Sequence, residues 1–207
     1  ERSIIKKFRK EIWRKFTKAI TEYQLVNEGD KIAVCISGGK DSILLAKLFQ
    51  ELKKHGQIQF DLVFLVMNPG YNEMNSQLIE INAKRLNIPI HMFYTDIFEY
   101  DLDTDPLVFE DYCKEADFVF HLAGVNRPEN QSEFMEGNFG FTSTLLETLK
   151  KYQNACPIMI SSSIQAELDN DYGKSKKAGE ELIFDYGKKY KVRTYIFRFP
   201  NLFGKWC

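Results

Sequence analysis

Six short apolar runs, each separated from the next by a helix-length amphipathic stretch, constrain this chain more than any other feature. The runs cover 31–36, 61–67, 89–94, 118–122, 157–160 and 192–199. Residues 61–67 (DLVFLVM) are apolar almost without a break, which implies a strand buried on both faces. Between the runs, apolar residues recur at helical spacing over about 42–55, 73–86, 107–114, 136–152 and 172–190. In the first of these, Leu45, Leu48, Phe49 and Leu52 share one face, and Gly56 is a natural stop. A further stripe, Ile5, Phe8, Ile12, Phe16, Ala19, Ile20 and Tyr23, predicts an amphipathic N-terminal helix over 4–25. Strict alternation of strand and helix is the pattern of an α/β doubly wound parallel sheet, Rossmann-like, of about six strands. Right-handed crossovers place the C-terminal ends of all strands on one edge, where ligands bind in such sheets.

Composition narrows the function classes. A length of 207 residues with 44% hydrophobic and 14% aromatic residues fits one globular domain over 1–207. The net charge of −1 gives no global attraction for nucleic acid. Charge is uneven, however: residues 1–18 carry eight Lys/Arg against two Glu, and 96–117 is acidic. The basic helix is read as a solvated amphipathic face, with contact to tRNA phosphates as the alternative. No apolar run reaches the roughly 18–20 residues that span a bilayer, and no signal peptide is visible, so no membrane partner is expected. Cys35, Cys113, Cys156 and Cys207 form no CxxC pair, which argues against a disulfide framework or a metal site and for a reducing cytoplasm. The chain opens without Met and reads as an excerpt of something longer.

Two motifs carry chemistry. Directly after the first strand, Ser37-Gly38-Gly39-Lys40-Asp41-Ser42 (SGGKDS) forms a strand-to-helix turn. Paired glycines permit positive φ and close backbone approach, so several N–H groups can converge on an anion. Ser42 adds a hydroxyl at the positive end of the helix. The spacing is not the GxxxxGK[ST] of a Walker loop. A β-branched residue at Gly39 is expected to abolish anion binding by resisting positive φ. The second motif is Tyr172-Gly-Lys-Ser-Lys176, preceded by three serines at 161–163. Tyr172 and Lys176, four apart, share one helix face.

Residues 1–98 resemble the PP-loop ATP pyrophosphatases of the tRNA 2-thiocytidine type, through SGGKDS, the leading GDKIAVCI, FDLVFLVMNPGYN and LNIPIHMFYTDIF. The resemblance implies ATP or pyrophosphate on Ser37, Gly38, Gly39, Asp41 and Ser42, with Lys40 as a point charge. It also implies adenylation of a tRNA base before thiolation. The later cysteine pairs of that family are missing, and Asn68 replaces its usual Asp.

Residues 99–207 are similar instead to extended short-chain dehydrogenase/reductases of the capsular-polysaccharide, sugar-nucleotide type. The likeness runs through ADFVFHLAGVNRPENQSEF, MISSSIQA, DNDYGKSKKAGE and YIFRFPNLFGKWC. It implies that the Lys176 ammonium lowers the Tyr172 pKa and binds the nicotinamide ribose of NAD(P), while Tyr172 protonates a substrate carbonyl. A strand serine, Ser163 with Ser162 as second choice, orders the substrate oxygen. Ala123, Gly124, Pro200 and Asn201 are implied around the nicotinamide end. The family's GxxGxxG turn is lacking, and Asp101 and Asp103 are read as remnants of an acidic cofactor-strand end.

The two resemblances meet near 97–101, and both parent sheets share a 3-2-1-4-5 winding. Together they imply a single six-stranded sheet of order 3-2-1-4-5-6. The expectation is therefore a chimeric nucleotide-binding domain, engineered or spliced, that keeps an ATP/pyrophosphate loop and turns over no NAD(P)H. The alternatives are an NAD(P)-dependent sugar-nucleotide epimerase or reductase and a tRNA-thiolation-type ATP pyrophosphatase.

Overall fold

A computed structural model describes residues 3–68, 73–94, 106–125 and 130–200. Its strands are β1 (Lys31–Ile36), β2 (Asp61–Asn68), β3 (Ile90–Tyr94), β4 (Phe118–His121), β5 (Ile158–Ser163) and β6 (Thr194–Phe199). All pair in parallel, in the order β3-β2-β1-β4-β5-β6, so the expected winding is observed. The pair at the centre, β1 with β4, joins the two halves of the chain in register, Val34 opposite Phe120 and Cys35 opposite His121.

The helices are α1 (Arg14–Glu22), α2 (Lys40–His55), α3 (Glu73–Arg85), α4 (Pro106–Glu115), the short α5 (Ser132–Phe134), α6 (Phe141–Lys151) and α7 (Asp171–Tyr190). A π-helical turn, Met135–Gly140, links α5 to α6. The N-terminal stripe does form helix, in π-helical turns (Ser3–Lys7, Arg9–Trp13) and then α1.

Strand periodicity divides the core. Ile32, Val34 and Ile36 point to the face covered by α1, α2 and α3, packing with Ile20, Phe49, Phe64 and Phe120. Ala33 and Cys35 point to the other face, where α4, α6 and α7 bring Phe109, Cys113, Phe141, Leu145 and Ile183. Each face thus draws residues from both halves of the chain. The N-terminal segment reaches as far as β6: the Tyr195 hydroxyl donates to the Tyr23 carbonyl at 3.0 Å, and Tyr23 meets the rings of Tyr195 and Phe197 edge-on. Cys35, Cys113 and Cys156 are free thiols in one apolar cluster, and burial pushes all three well above the ordinary thiol range.

Three boundaries differ from the sequence reading. The serines 161–163 belong to β5 rather than ending it, because β6 pairs with them residue for residue. Helix α2 starts at Lys40, two residues early, since the Ile43 N–H already bonds the Gly39 carbonyl at 3.0 Å. The helical stretch before β5 starts at Ser132 rather than 136, with the π-helical turn inside it. Among the described residues no helix is long and apolar enough to cross a membrane.

Candidate nucleotide site

The C-terminal ends of β1 and β4 lie side by side, with the Leu122 N–H donating to the Cys35 carbonyl at 3.0 Å. Both motifs therefore open onto one sheet edge, at the point where the winding reverses direction.

On the β1 side the site is built from backbone. Gly38 adopts φ +76°, and a Cβ there would lie 2.6 Å from Ile79 Cγ1, so only glycine fits without displacing α3. Gly39 is different. Its φ of −70° and ψ of 160° suit any residue, and its Cβ would meet only Ser37 Oγ at 3.5 Å. The expected φ argument at Gly39 is thus corrected: the left-handed position is Gly38. The buried Ser42 hydroxyl donates back to the Gly39 carbonyl at 2.9 Å and lies 3.4 Å from Ser37 Oγ, bracing the turn. Lys40 and Asp41 are exposed in the first turn of the 16-residue α2, whose N-terminal N–H groups face solvent at the sheet edge.

On the β4–β5 side the site is built from side chains. Helix α7 starts where the Asn170 side chain accepts the Gly173 N–H at 2.7 Å. Gly173 cannot carry a Cβ, which would lie 2.3 Å from the Gln165 carbonyl. That close approach seats the first turn of α7 against the end of β5. The Tyr172 hydroxyl bonds Ser163, whose Oγ also accepts the Gln165 N–H at 3.1 Å. Burial pushes the Tyr172 phenol up, and the Ser163 bond pulls the other way. The Lys176 ammonium is buried, 5.7 Å from the centre of the Tyr172 ring. Burial lowers its pKa to about 8, against an upward pull from Glu180.

Gly124 closes the other side. A Cβ there would lie 2.5 Å from Asn138 Oδ1 and 2.9 Å from Lys176 Nζ, so the chain passes directly over the ammonium. Asn138, 4% exposed, acts as a clamp. Its Oδ1 accepts the Val125 N–H at 3.0 Å, and its Nδ2 donates to the Val125 carbonyl at 3.1 Å and to Ser175 Oγ at 3.0 Å. Ala123 is buried beside Gly124. Behind the clamp, His121 is fully buried with Nε2 2.9 Å from Thr142 Oγ1, and burial and Lys176 together drive its pKa down to about 3.

Ser163, Tyr172, Lys176, Ala123 and Gly124 are therefore brought together, as the sequence reading expected. Ser162 is not an alternative to Ser163. Its hydroxyl is given to the Glu180 carboxylate beneath the site. Pro200 follows the end of β6 and is exposed. Asn201, Asp101 and Asp103 lie outside the described residues, as does the side chain of Asn68. Sequence reasoning missed Asn138 and Glu180; a buried amide three residues before a threonine, and a glutamate one turn after Lys176, carry no signal without tertiary partners. No group of three or more His, Cys, Asp or Glu among the described residues could hold a metal ion.

A glycine-lined edge beside a buried Tyr–Lys pair defines a nucleotide-binding α/β domain of reductase type. Residues 48–206 match the profile of the NAD dependent epimerase/dehydratase family, and the chain belongs to that family. The matched span begins after SGGKDS, so membership does not describe that turn. Two kinds of curated relative are similar to different parts of the chain. A UDP-2-acetamido-2,6-beta-L-arabino-hexul-4-ose reductase of Pseudomonas aeruginosa is 50% identical over 93 residues, 45% of this chain and 25% of the relative. A tRNA-cytidine(32) 2-sulfurtransferase of Pelobacter propionicus is 37% identical over 82 residues, 40% of this chain and 30% of the relative. The chain thus spans about a quarter to a third of the curated relatives it matches. Among solved structures, the capsular polysaccharide assembling protein CapF of Staphylococcus aureus superposes with a TM-score of 0.51 at 31% identity, over 86% of this chain and 37% of that one. A UDP-glucuronic acid 4-epimerase of Bacillus cereus, solved with NAD, shares the fold at 20% identity, with a TM-score of 0.59 over 84% of this chain and 58% of that one.

Proposed function

We propose that this chain is the nucleotide-binding unit of an NAD(P)-dependent sugar-nucleotide reductase or epimerase, with a foreign phosphate turn at its first strand. The observation that carries this reading is the Ser163–Tyr172–Lys176 cluster, with Gly124 lying over the ammonium. An unsubstituted backbone there leaves a cradle that a single methyl group would fill, which fits the flat end of a dinucleotide. The dinucleotide supplies a hydride when bound. The protein's own contribution is proton handling and charge. Burial keeps the Tyr172 phenol protonated at neutral pH, so it can act as the general acid toward a carbonyl oxygen. Ser163, bonded to the same hydroxyl, fixes where that proton points. Lys176 brings a positive charge next to the phenol, which stabilises the phenolate left after proton transfer. Residues 1–98 and 99–207 act as one unit in this reading, since both contribute to each core and to the sheet edge.

A second reading is favoured by the turn itself. Gly38 in the left-handed region and the free end of α2 suit ATP or pyrophosphate, the ligands implied by the likeness to the sulfurtransferases. Both readings place a pyrophosphate on the same turn, so they predict competition. In fluorescence titrations, NADPH should bind and ATP or pyrophosphate should displace it. Gly124→Val, whose side chain would occupy the cradle, should weaken NADPH at least tenfold and leave pyrophosphate unchanged. NADPH binding that is indifferent to Gly124→Val would overturn the reductase reading, and pyrophosphate binding alone would leave the phosphate loop as the function.

A further inference from the structure

Glu180 is a buried carboxylate that the proposed chemistry does not use. It lies one turn after Lys176 on α7, and the two residues are 6% and 8% exposed. Three hydrogen bonds reach it from two strands: the Ser162 hydroxyl from β5, and from β6 the Arg198 Nε at 2.9 Å and Nη2 at 2.6 Å. Arg198 also donates to Glu167 at 2.7 Å. A bidentate guanidinium would be enough to keep a partly buried carboxylate charged. The arrangement is lopsided, however. The Glu180 side chain is 8% exposed and that of Arg198 37%, so solvent screens the cation far more than the anion. A net negative field is therefore left inside the protein, on the side toward Lys176.

The other groups packed around Lys176 do not supply such a field. Tyr172 on α7 and His121 on β4 are neutral at pH 7, and Asn138, Ser162 and Ser163 are uncharged. The π-helical turn carries Glu136, one oxygen of which is buried without a partner. Glu180 is the group that draws the Lys176 proton back on against burial.

We propose that Glu180 is a positioning residue for Lys176: its charge, partly neutralised by Arg198 and Ser162, keeps the buried ammonium protonated beneath the nucleotide. The inference rests on the NAD(P) reading for its purpose, and on the network alone for its physics. It makes β6 part of the site, because a change at Arg198 reaches Lys176 through Glu180 rather than by contact.

The test uses two variants expected to move in opposite directions. With lysine labelled at Cε with carbon-13, and Lys176 assigned by loss of its signal in Lys176→Met, the titration of Lys176 is followed by NMR without nucleotide. Glu180→Gln, which keeps the shape and removes the charge, should shift the midpoint to lower pH than wild type. Arg198→Gln removes the opposing cation and should shift it to higher pH. If Arg198→Gln does not fold, Ser162→Ala, which strips one donor from the same carboxylate, should shift it the same way by less. Midpoints that stay put in Glu180→Gln, or that move alike in Glu180→Gln and the opposing variant, would overturn the proposal. NADPH affinity is then measured at pH 6.5 and 8.5. In Glu180→Gln the loss between the two should be several-fold larger than in wild type. A chain that binds no NADPH at any pH would defeat the functional reading, while the Lys176 titration would still decide the role of Glu180.

Discussion

The two sides of the sheet edge solve the same problem with different materials. After β1 the ligand-facing surface is backbone: one glycine in the left-handed region, a helix end, and a pair of serine hydroxyls bracing the turn. After β4 and β5 it is side chains locked by other side chains, through the Asn138 clamp, the Ser163–Tyr172 bond and the Ser162–Glu180–Arg198 network. A backbone site is indifferent to most substitutions and binds whatever anion reaches it. A side-chain site depends on many partners at once and supports chemistry only when all are in place. The contrast explains how a phosphate turn from one family can precede a catalytic cluster from another: the turn asks little of its neighbours beyond room for Gly38.

The sharpest difference between the two sides is electrostatic, and it falls on His121. Its folded pKa of about 3 lies below the ordinary histidine value of 6.5. Between those values the unfolded chain binds a proton that the folded chain refuses, so stability is lost as pH falls through this window. The full shift corresponds to roughly 4 kcal/mol, an order-of-magnitude figure for a fully buried ring. Denaturant melts at pH 7 and pH 4 should show one transition that weakens by several kcal/mol. His121→Gln, which can still donate to Thr142 and does not titrate, should flatten that dependence. Equal acid sensitivity in the variant, or two transitions, would place the weakness elsewhere or separate the halves.

The next effect in size tests the backbone side. Gly38→Val forces a β-branched residue into positive φ and into Ile79, and should cost about 3 kcal/mol, combining the left-handed penalty with overpacking. Gly39→Val, at extended φ and in ordinary contact, should cost less than about 1 kcal/mol. Thermal melts of the pair decide between them, and similar losses would mean that the turn is set by something other than Gly38.

The difference between the two sides also sets what the sequence alone revealed. Strand and helix periodicities carried the architecture, because burial on both faces leaves long apolar runs at 61–67 and 118–122. The motifs located Ser163, Tyr172, Lys176 and Gly124, since those residues act by identity and spacing. What escaped was whatever depends on a partner far along the chain. Glycine pairs look alike until Ile79 of α3 is seen against Gly38. The serines at 161–163 look equivalent until Glu180 claims the middle of β5's last three hydroxyls. Asn138 became legible only through Val125 and Ser175.

The smallest effect separates binding from chemistry within the side-chain region. Tyr172 is half-buried, stacks edge-on against Phe134 at 5.4 Å, and contributes one hydrogen bond to Ser163. Tyr172→Phe keeps the ring and its contacts and deletes only the hydroxyl, so stability should fall by no more than about 1 kcal/mol. NADPH affinity should stay within about twofold, because Gly124, Lys176 and the phosphate turn are untouched. What the hydroxyl supplies is a proton in a transition state, and removing a general acid typically costs about 10²–10⁴ in rate. Any NADPH-dependent reduction of a nucleotide-linked keto sugar, however slow in this part-length chain, should therefore vanish into background while binding persists. A Tyr172→Phe chain that still oxidises NADPH at the wild-type rate would mean that the proton comes from elsewhere. A variant that loses NADPH binding along with turnover would show that the hydroxyl organises the cradle rather than the reaction.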